Sequence, residues 1–120
     1  MENRILIRHN KNWGLDEKMV NNLAQKALKY WKYFEDTELS LYFVGRKKAR
    51  DLNIKFRKMD YCPQVLGFPM NKEKDVDGLV RLGDVVICTQ KLKYEARIFN
   101  KKIEEVLEEW LIHGVGNLLK

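Results

Sequence analysis

The order in which two hydrophobic periodicities alternate along the chain limits its fold more than any other feature. A two-residue alternation marks strand-like segments, and a spacing of three to four residues marks helix-like ones. The strand-like segments are RILIRH, ELSLYFVG, VLGFPM and RLGDVVICT, and helix-like segments fill most of the remainder. The resulting order, β-α-β-α-β-β-α-α, predicts an α+β fold: a single mixed four-stranded sheet with helices packed on it and a C-terminal helix completing the core.

Local signals support several of these elements. Asp16 stands where the first helix needs an N-cap. The alternation in ELSLYFVG places Leu39 and Phe43 on the same face of a strand. Asp77 followed by Gly78 is typical of a hairpin turn, which indicates that the last two strands are antiparallel neighbours.

Length and composition predict one domain over residues 1–120. The chain has 45% hydrophobic and 33% charged residues, enough apolar material for a single core. Its opening does not resemble a signal peptide, and its aliphatic runs are far too short for a membrane span, so we expect a cytoplasmic protein with no membrane partner. Cys62 and Cys88 lack a paired spacing and are predicted to be free thiols rather than a disulfide or metal pair.

The positive charge is concentrated in one segment. The net charge is +6, and residues 46–60 contain seven basic and two acidic residues, so the rest of the chain carries only +1. A basic segment of this kind predicts a polyanionic partner, with RNA the leading candidate. The alternative is a lysine-rich helix surface that is simply solvated.

Within that segment, four polar residues fall on one stripe of the second predicted helix: Arg46, Arg50, Asn53 and Arg57. Arginines beside an apolar seam can form bidentate contacts with phosphates, which makes this stripe the candidate RNA-binding surface. The alternative is that their stems lie along the margin of the core with the guanidinium groups in solvent. The same helix is expected to turn Phe56 towards the core.

The last helix places His113 and Asn117 four residues apart, at the edge of its apolar stripe. This spacing suits two ligands of a zinc site, but only the histidine is a good ligand, and a hydrogen-bonded structural histidine is the alternative. Gly114 stands where a metalloprotease of the H-E-x-x-H type needs glutamate, which excludes that class. Gly114 and Gly116 each cost a helix about 1 kcal/mol relative to alanine, so we expect fraying from about Val115.

Three blocks of sequence, LNIKFRKMDYCPQVLGFP, LGDVVIC and HGVGNLL, resemble in order and spacing the YbeY family of zinc-dependent endoribonucleases of ribosomal RNA maturation. The matching positions are Leu52, Asn53, Arg57, Asp60, Val65, Leu66, Phe68, Pro69, Leu82, Gly83, Asp84, Val85, Ile87, His113, Gly114 and Leu118. The resemblance implies ribosomal RNA or the ribosome as partner, with no DNA. It also implies a catalytic, phosphate-holding role for Arg57 and a metal-binding role for His113.

The departures from the family pattern are concentrated where the chemistry is expected. The family's Pro, Thr, Asp and Ser are replaced by Cys62, Pro63, Gln64 and Gly67, and Asn117 replaces its second zinc histidine. The chain ends before the third, so we interpret residues 1–120 as a YbeY-like domain truncated at its C-terminus relative to the family. Because an amide is a poor zinc ligand, we do not expect this chain as written to hold catalytic zinc.

Two functions remain open at this point, and with them the question of whether the chain is an enzyme. The first is a YbeY-like RNA-processing protein of ribosomal RNA maturation, in a family that hydrolyses single-stranded RNA. The second is a catalytically inactive module that binds ribosomal RNA or the ribosome. A third alternative is hydrolysis at an unusual site that combines His113 with Asp84, Cys62 or Glu109. Both functions that rest on the resemblance predict that Arg57 and His113 line one cleft.

Overall fold

A computed structural model describes residues 3–120 of the chain. The strands are β1 (Asn3–Arg8), β2 (Thr37–Val44), β3 (Val65–Pro69) and β4 (Val80–Cys88). The helices are α1 (Glu17–Tyr30), α2 (Arg46–Arg57), α3 (Thr89–Ile98) and α4 (Ile103–Leu118). This order confirms the α+β prediction, and a short 3-10 helix at Lys11–Trp13 is added between β1 and α1. No helix in this part of the chain has the length and apolar character to cross a membrane.

The four strands form a single mixed sheet in the order β1-β2-β4-β3. β1, β2 and β4 run parallel to one another, and β3 pairs antiparallel with β4 at one edge. Parallel neighbours require long crossover connections, which α1 and the α2–β3 segment supply. The β3–β4 hairpin contains the predicted turn: Gly78 adopts a φ of 82°, and its N–H donates to the Asp75 carbonyl over 2.9 Å.

The two faces of the sheet are covered to different extents. Val85 and Ile87 of β4 face the main core, where α1 and α4 pack over the sheet. Asp84 and Val86, which alternate with them, face α2 on the other side. The main core holds large aliphatic side chains with essentially no exposed surface, such as Leu28. The sheet therefore has one fully packed face and one that α2 covers only in part.

Helix α1 forms where its cap and apolar spacing predict it. The Asp16 side chain accepts hydrogen bonds from the N–H groups of Lys18 and Met19 over 3.1 and 3.2 Å, which satisfies donors that have no partner within the helix. Its inward face is fully apolar, comprising Val20, Leu23, Ala24, Ala27 and Leu28. The N-cap prediction is confirmed.

Helix α2 is less buried than its pattern predicts. Ala49 is buried, but the Phe56 ring is 56% exposed and meets the edge of Phe68 with ring centroids 5.2 Å apart. The expectation that Phe56 faces the core is therefore wrong. The physical reason is that an open apolar cavity separates α2 from the sheet. Side chains of the last turn of the helix therefore line this cavity and are not packed in a core.

The end of α4 also differs from expectation. Instead of fraying from Val115, the helix continues to Leu118, and both of these side chains are fully buried. The indole N–H of Trp31 donates to the Ile112 carbonyl over 2.7 Å and attaches the helix to the segment after α1. Packing against α1 and the sheet thus compensates for the low helix propensity of glycine.

The two glycines of α4 stand at close approaches between elements. A Cβ added to Gly114 would lie 2.8 Å from Cγ1 of the buried Val85, and one added to Gly116 would lie 2.5 Å from the Trp31 ring. Neither distance is compatible with normal packing. Glycine at these two positions allows α4 to lie directly on the sheet and on Trp31.

Replacing Gly114 by alanine should lower the free energy of unfolding by about 1–2 kcal/mol, because overpacking strain exceeds the gain of about 1 kcal/mol in helix propensity. Urea denaturation would measure the change. The control is Gly114→Ala combined with Val85→Ala, which removes the clashing methyl groups. We expect the double variant to lose less stability than the sum of the two single variants. Stabilisation by Gly114→Ala alone would contradict the packing argument.

Candidate nucleic-acid interface

An open depression of about 380 Å³ lies where the loop after α2 meets the first turn of α3 and the middle of α4. The residues that line it are Arg57, Tyr61, Cys62, Pro63, Gln64, Val65, Lys91 and His113. Arg57 and His113, which are far apart in sequence, therefore lie on the same side of the molecule. This is the arrangement that the three sequence blocks predict.

A second depression of about 250 Å³ adjoins the first and shares Gln64 and Lys91 with it. Its other lining residues are Arg46, Tyr94, Glu95, Ile98 and Phe99. We refer to the two depressions together as the basic groove, because Arg46, Arg57 and Lys91 line it. It runs from the start of α2 along α3 to His113.

Hydrogen bonds within the wall hold Glu95, the one acidic residue that lines the groove. The Gln64 amide donates to one carboxylate oxygen of Glu95, and the other oxygen accepts from the Trp110 indole over 3.2 Å. The Lys91 ammonium donates to the Cys62 carbonyl over 2.6 Å and keeps its charge beside the groove. Because Arg46, Arg57 and Lys91 outnumber this single carboxylate, the net field in the groove is positive, which favours an anionic ligand.

The predicted arginine stripe divides into two pairs. Arg46 and Arg57 are exposed in the groove, and the ion pairs of residues 3–120 include neither of them. Arg50 instead forms an ion pair with Asp60 over 2.6 Å. The Asn53 side chain is fully buried, and its amide donates to the Tyr61 carbonyl over 3.0 Å.

Arg50 and Asn53 therefore fix the loop that forms one wall of the groove. Helical periodicity places all four residues on one stripe, but it does not show that the following loop folds back over part of that stripe. The sequence pattern carries no separate signal for Lys91 or Tyr94 as groove residues, beyond their position just after the RLGDVVICT strand. Gln64 does carry one, because it departs from the family pattern within the CPQ segment.

The donors near His113 do not fit a zinc site with three histidines. The His113 side chain is exposed, and Asn117 stands one turn later with its Cβ 3.3 Å from the position of a Cβ on Gly67. An amide in this place is a poor zinc ligand. Across residues 3–120 there is no group of three His, Cys, Asp or Glu side chains close enough to hold a metal ion.

The structure also separates most residues of the unusual hydrolytic site considered above. Asp84 faces α2 and lies on the opposite side of the sheet from α4, in an apolar cavity of about 400 Å³. Burial raises the pKa of its carboxyl group. Glu109 forms an exposed ion pair with Lys101 over 3.2 Å. Of the three residues proposed to act with His113, only Cys62 lines the same groove.

Comparison with known proteins assigns this chain to one family. The family model described as Endoribonuclease YbeY matches residues 6–119. The chain is 33% identical over 118 residues to the Endoribonuclease YbeY of Aquifex aeolicus, covering 98% of this chain and 76% of that protein. It is 32% identical over 104 residues to that of Staphylococcus carnosus, covering 83% and 68% respectively.

Other relatives extend well beyond the matched part. The Endoribonuclease YbeY of Cellvibrio japonicus is 35% identical over 85 residues, which cover 71% of this chain and 48% of that protein. The solution structure of TM1509 from Thermotoga maritima is similar with a TM-score of 0.61 at 28% identity, over 98% of this chain and 72% of that one. The family match covers nearly the whole chain, and the structural similarity confirms the fold. The chain therefore belongs to the YbeY family of rRNA-maturation endoribonucleases.

Proposed function

We propose that this chain binds single-stranded segments of ribosomal RNA in the basic groove and acts in ribosomal RNA processing. The observation that carries the proposal is that Arg57 and His113 line one groove together with Lys91. A groove of this kind offers several cations to a phosphate backbone. The Endoribonuclease YbeY relatives support RNA as the ligand.

The groove residues have distinct roles in this proposal. Arg57 and Arg46 hold phosphates through bidentate hydrogen bonds, and Arg57, the candidate catalytic residue, holds the phosphate nearest His113. Tyr61, Tyr94 and Phe99 are 50%, 47% and 61% exposed along the groove. Exposed aromatic rings beside a cationic groove stack on unpaired bases, which favours single-stranded over duplex RNA.

Arg50 and Asn53 contribute to RNA binding indirectly in this scheme. Their contacts with Asp60 and the Tyr61 carbonyl hold the loop that carries one wall of the groove. RNA then meets a preorganised surface, which reduces the ordering cost of binding. We further propose that residues 1–120 form one YbeY-like domain and that the protein works in the cytoplasm, where ribosomal RNA is its partner.

The residues near His113 favour a second candidate function, an RNA- or ribosome-binding module without hydrolytic activity. His113 is accompanied on its helix by Asn117 rather than by a second imidazole, and no metal-ligating cluster occurs in the described part of the chain. In the family, bound zinc would polarise the phosphate and lower the pKa of a bound water. The donors in the described part of the chain do not supply a three-histidine coordination shell.

The groove arginines should contribute more to RNA binding than lysines elsewhere on α2. Replacing both Arg46 and Arg57 by alanine should weaken binding by on the order of 10- to 100-fold, because two charge-assisted phosphate contacts are lost. Fluorescence anisotropy with a labelled single-stranded ribosomal RNA oligonucleotide at moderate salt would measure it.

The matched control is Lys47→Ala with Lys48→Ala, which removes the same charge outside the groove. Lys47 pairs with Asp51 over 3.4 Å, and Lys48 lines the apolar cavity instead. We expect the control to weaken binding only about two- to threefold through the screened field. Equal losses in the two pairs would show that α2 acts as a generic polycation, and no RNA binding at moderate salt would refute the proposal.

Zinc affinity should depend on the residue that follows His113 by one turn. Asn117→His places two imidazoles four residues apart on one helical face and should produce weak but measurable zinc binding, because two ligands form only part of a tetrahedral shell. Isothermal titration calorimetry with zinc would measure it. Asn22→His, on the exposed surface of α1, adds a histidine without such a partner and should bind no better than the native chain. Tight one-to-one zinc binding by the native chain would contradict this account.

A further inference from the structure

Two cysteines that are distant in sequence meet at the wall of the basic groove. Cys62 lies in the loop after α2, and Cys88 is the last residue of β4. They are 26 positions apart, both are free thiols, and their sulfur atoms are 3.6 Å apart. The prediction of free thiols is thus confirmed. Their contact could not be predicted from the spacing of the two cysteines.

Hydrogen bonds to the backbone at and beside Cys62 keep the thiol pair, Cys62 and Cys88, together. Lys91 donates to the Cys62 carbonyl over 2.6 Å, and the Cys88 N–H donates to the Gln64 carbonyl over 2.9 Å. One residue before Cys62, the Tyr61 carbonyl accepts a hydrogen bond from the buried Asn53 side-chain amide. A sulfur–sulfur bond of about 2.05 Å then requires an approach of roughly 1.5 Å, which small side-chain rotations and loop adjustments can supply.

The two thiols differ in access. Cys88 is fully buried, whereas Cys62 is half-buried and lines the groove, so a reagent in solution meets Cys62 first. The surroundings of Cys62 carry positive charge from Lys91 and Arg46. An anionic thiol reagent such as glutathione is therefore attracted to this position.

We propose that Cys62 is a modification site for low-molecular-weight disulfides of the glutathione type and that Cys88 resolves the product into an intramolecular disulfide. The Cys62 thiolate attacks one sulfur of oxidised glutathione, forms a mixed disulfide and releases one glutathione thiolate. Cys88 then loses its proton and attacks the Cys62 sulfur, which releases the second glutathione. The two protein thiols are oxidised, one glutathione disulfide is reduced to two thiols, and the two protons pass to the released glutathione.

The closed disulfide would attach the groove wall covalently to the end of β4. Burial, followed by the contact with Cys88, raises the pKa of the Cys62 thiol, so exchange at neutral pH proceeds through a small thiolate fraction and is slow. Once formed, the bond closes a 26-residue segment in the unfolded chain. That restriction should raise Tm by on the order of 10 °C.

Incubating the full chain with oxidised glutathione for several hours, followed by intact-mass analysis, tests the proposal. The expected product has lost the mass of two hydrogens, carries no glutathione, has a higher Tm, and returns to the starting mass with dithiothreitol. Cys88→Ala removes the resolving thiol and should stop at a stable adduct of one glutathione. Cys62→Ala leaves only the buried thiol and should remain unmodified under native conditions.

Other outcomes would overturn the proposal. A native chain that retains a glutathione adduct would show that Cys88 does not reach Cys62. Two thiols that still react with an alkylating agent after unfolding would show that neither was oxidised. If Cys88→Ala does not fold, the mass and Tm of the treated native chain still test the proposal. The intramolecular disulfide differs in mass and in Tm from both the reduced chain and the glutathione adduct. None of these measurements requires RNA or an active enzyme.

Discussion

The close contact between α4 and the β3–β4 edge of the sheet is the constraint on which the rest of the structure depends. A Cβ on Gly67 would lie 3.3 Å from the Gly114 carbonyl, so the helix and the edge strand approach nearly backbone to backbone. This approach sets the height of α4 over the sheet and the position of His113 relative to the loop before β3. Bulkier residues at the two glycines would lift the helix and widen the groove. Dispersion contacts across so short a distance also compensate for the low helix propensity of the glycines at the C-terminal end of α4.

The uneven covering of the sheet produces two chemically different surfaces. The face under α1 and α4 is a buried apolar core, while the face under α2 retains an apolar cavity with the Asp84 carboxyl at its wall. The basic groove forms beyond the sheet, where α2, α3 and α4 come together. A single helix, α2, contributes to both surfaces: Arg46 and Arg57 line the groove, and Phe56 lines the cavity. The charge of the basic segment is thereby separated from its hydrophobic residues.

Periodicity and turn chemistry predicted the element order and the mixed sheet, because these depend on local patterns that each segment carries by itself. The pairing of Arg57 with His113 in one groove followed from the resemblance of three sequence blocks. Contacts between segments distant in sequence could not be predicted in this way. Asn53 shares a helical stripe with the arginines, yet the folded-back loop buries it. The role of Gly114 depends on a strand that the helix meets only in the folded chain, and the same is true of the sulfur contact of Cys62.

The position of Trp31 has a spectroscopic consequence. Its indole ring packs on Gly116, donates to the Ile112 carbonyl and is 44% exposed, whereas Trp110 is almost fully buried in the core. Emission from Trp31 therefore depends on whether the last two turns of α4 are seated against it, while emission from Trp110 depends on the integrity of the core as a whole. With Trp13 and Trp110 replaced by phenylalanine, the emission of Trp31 alone would distinguish local detachment of the C-terminal helix from global unfolding, with no label added.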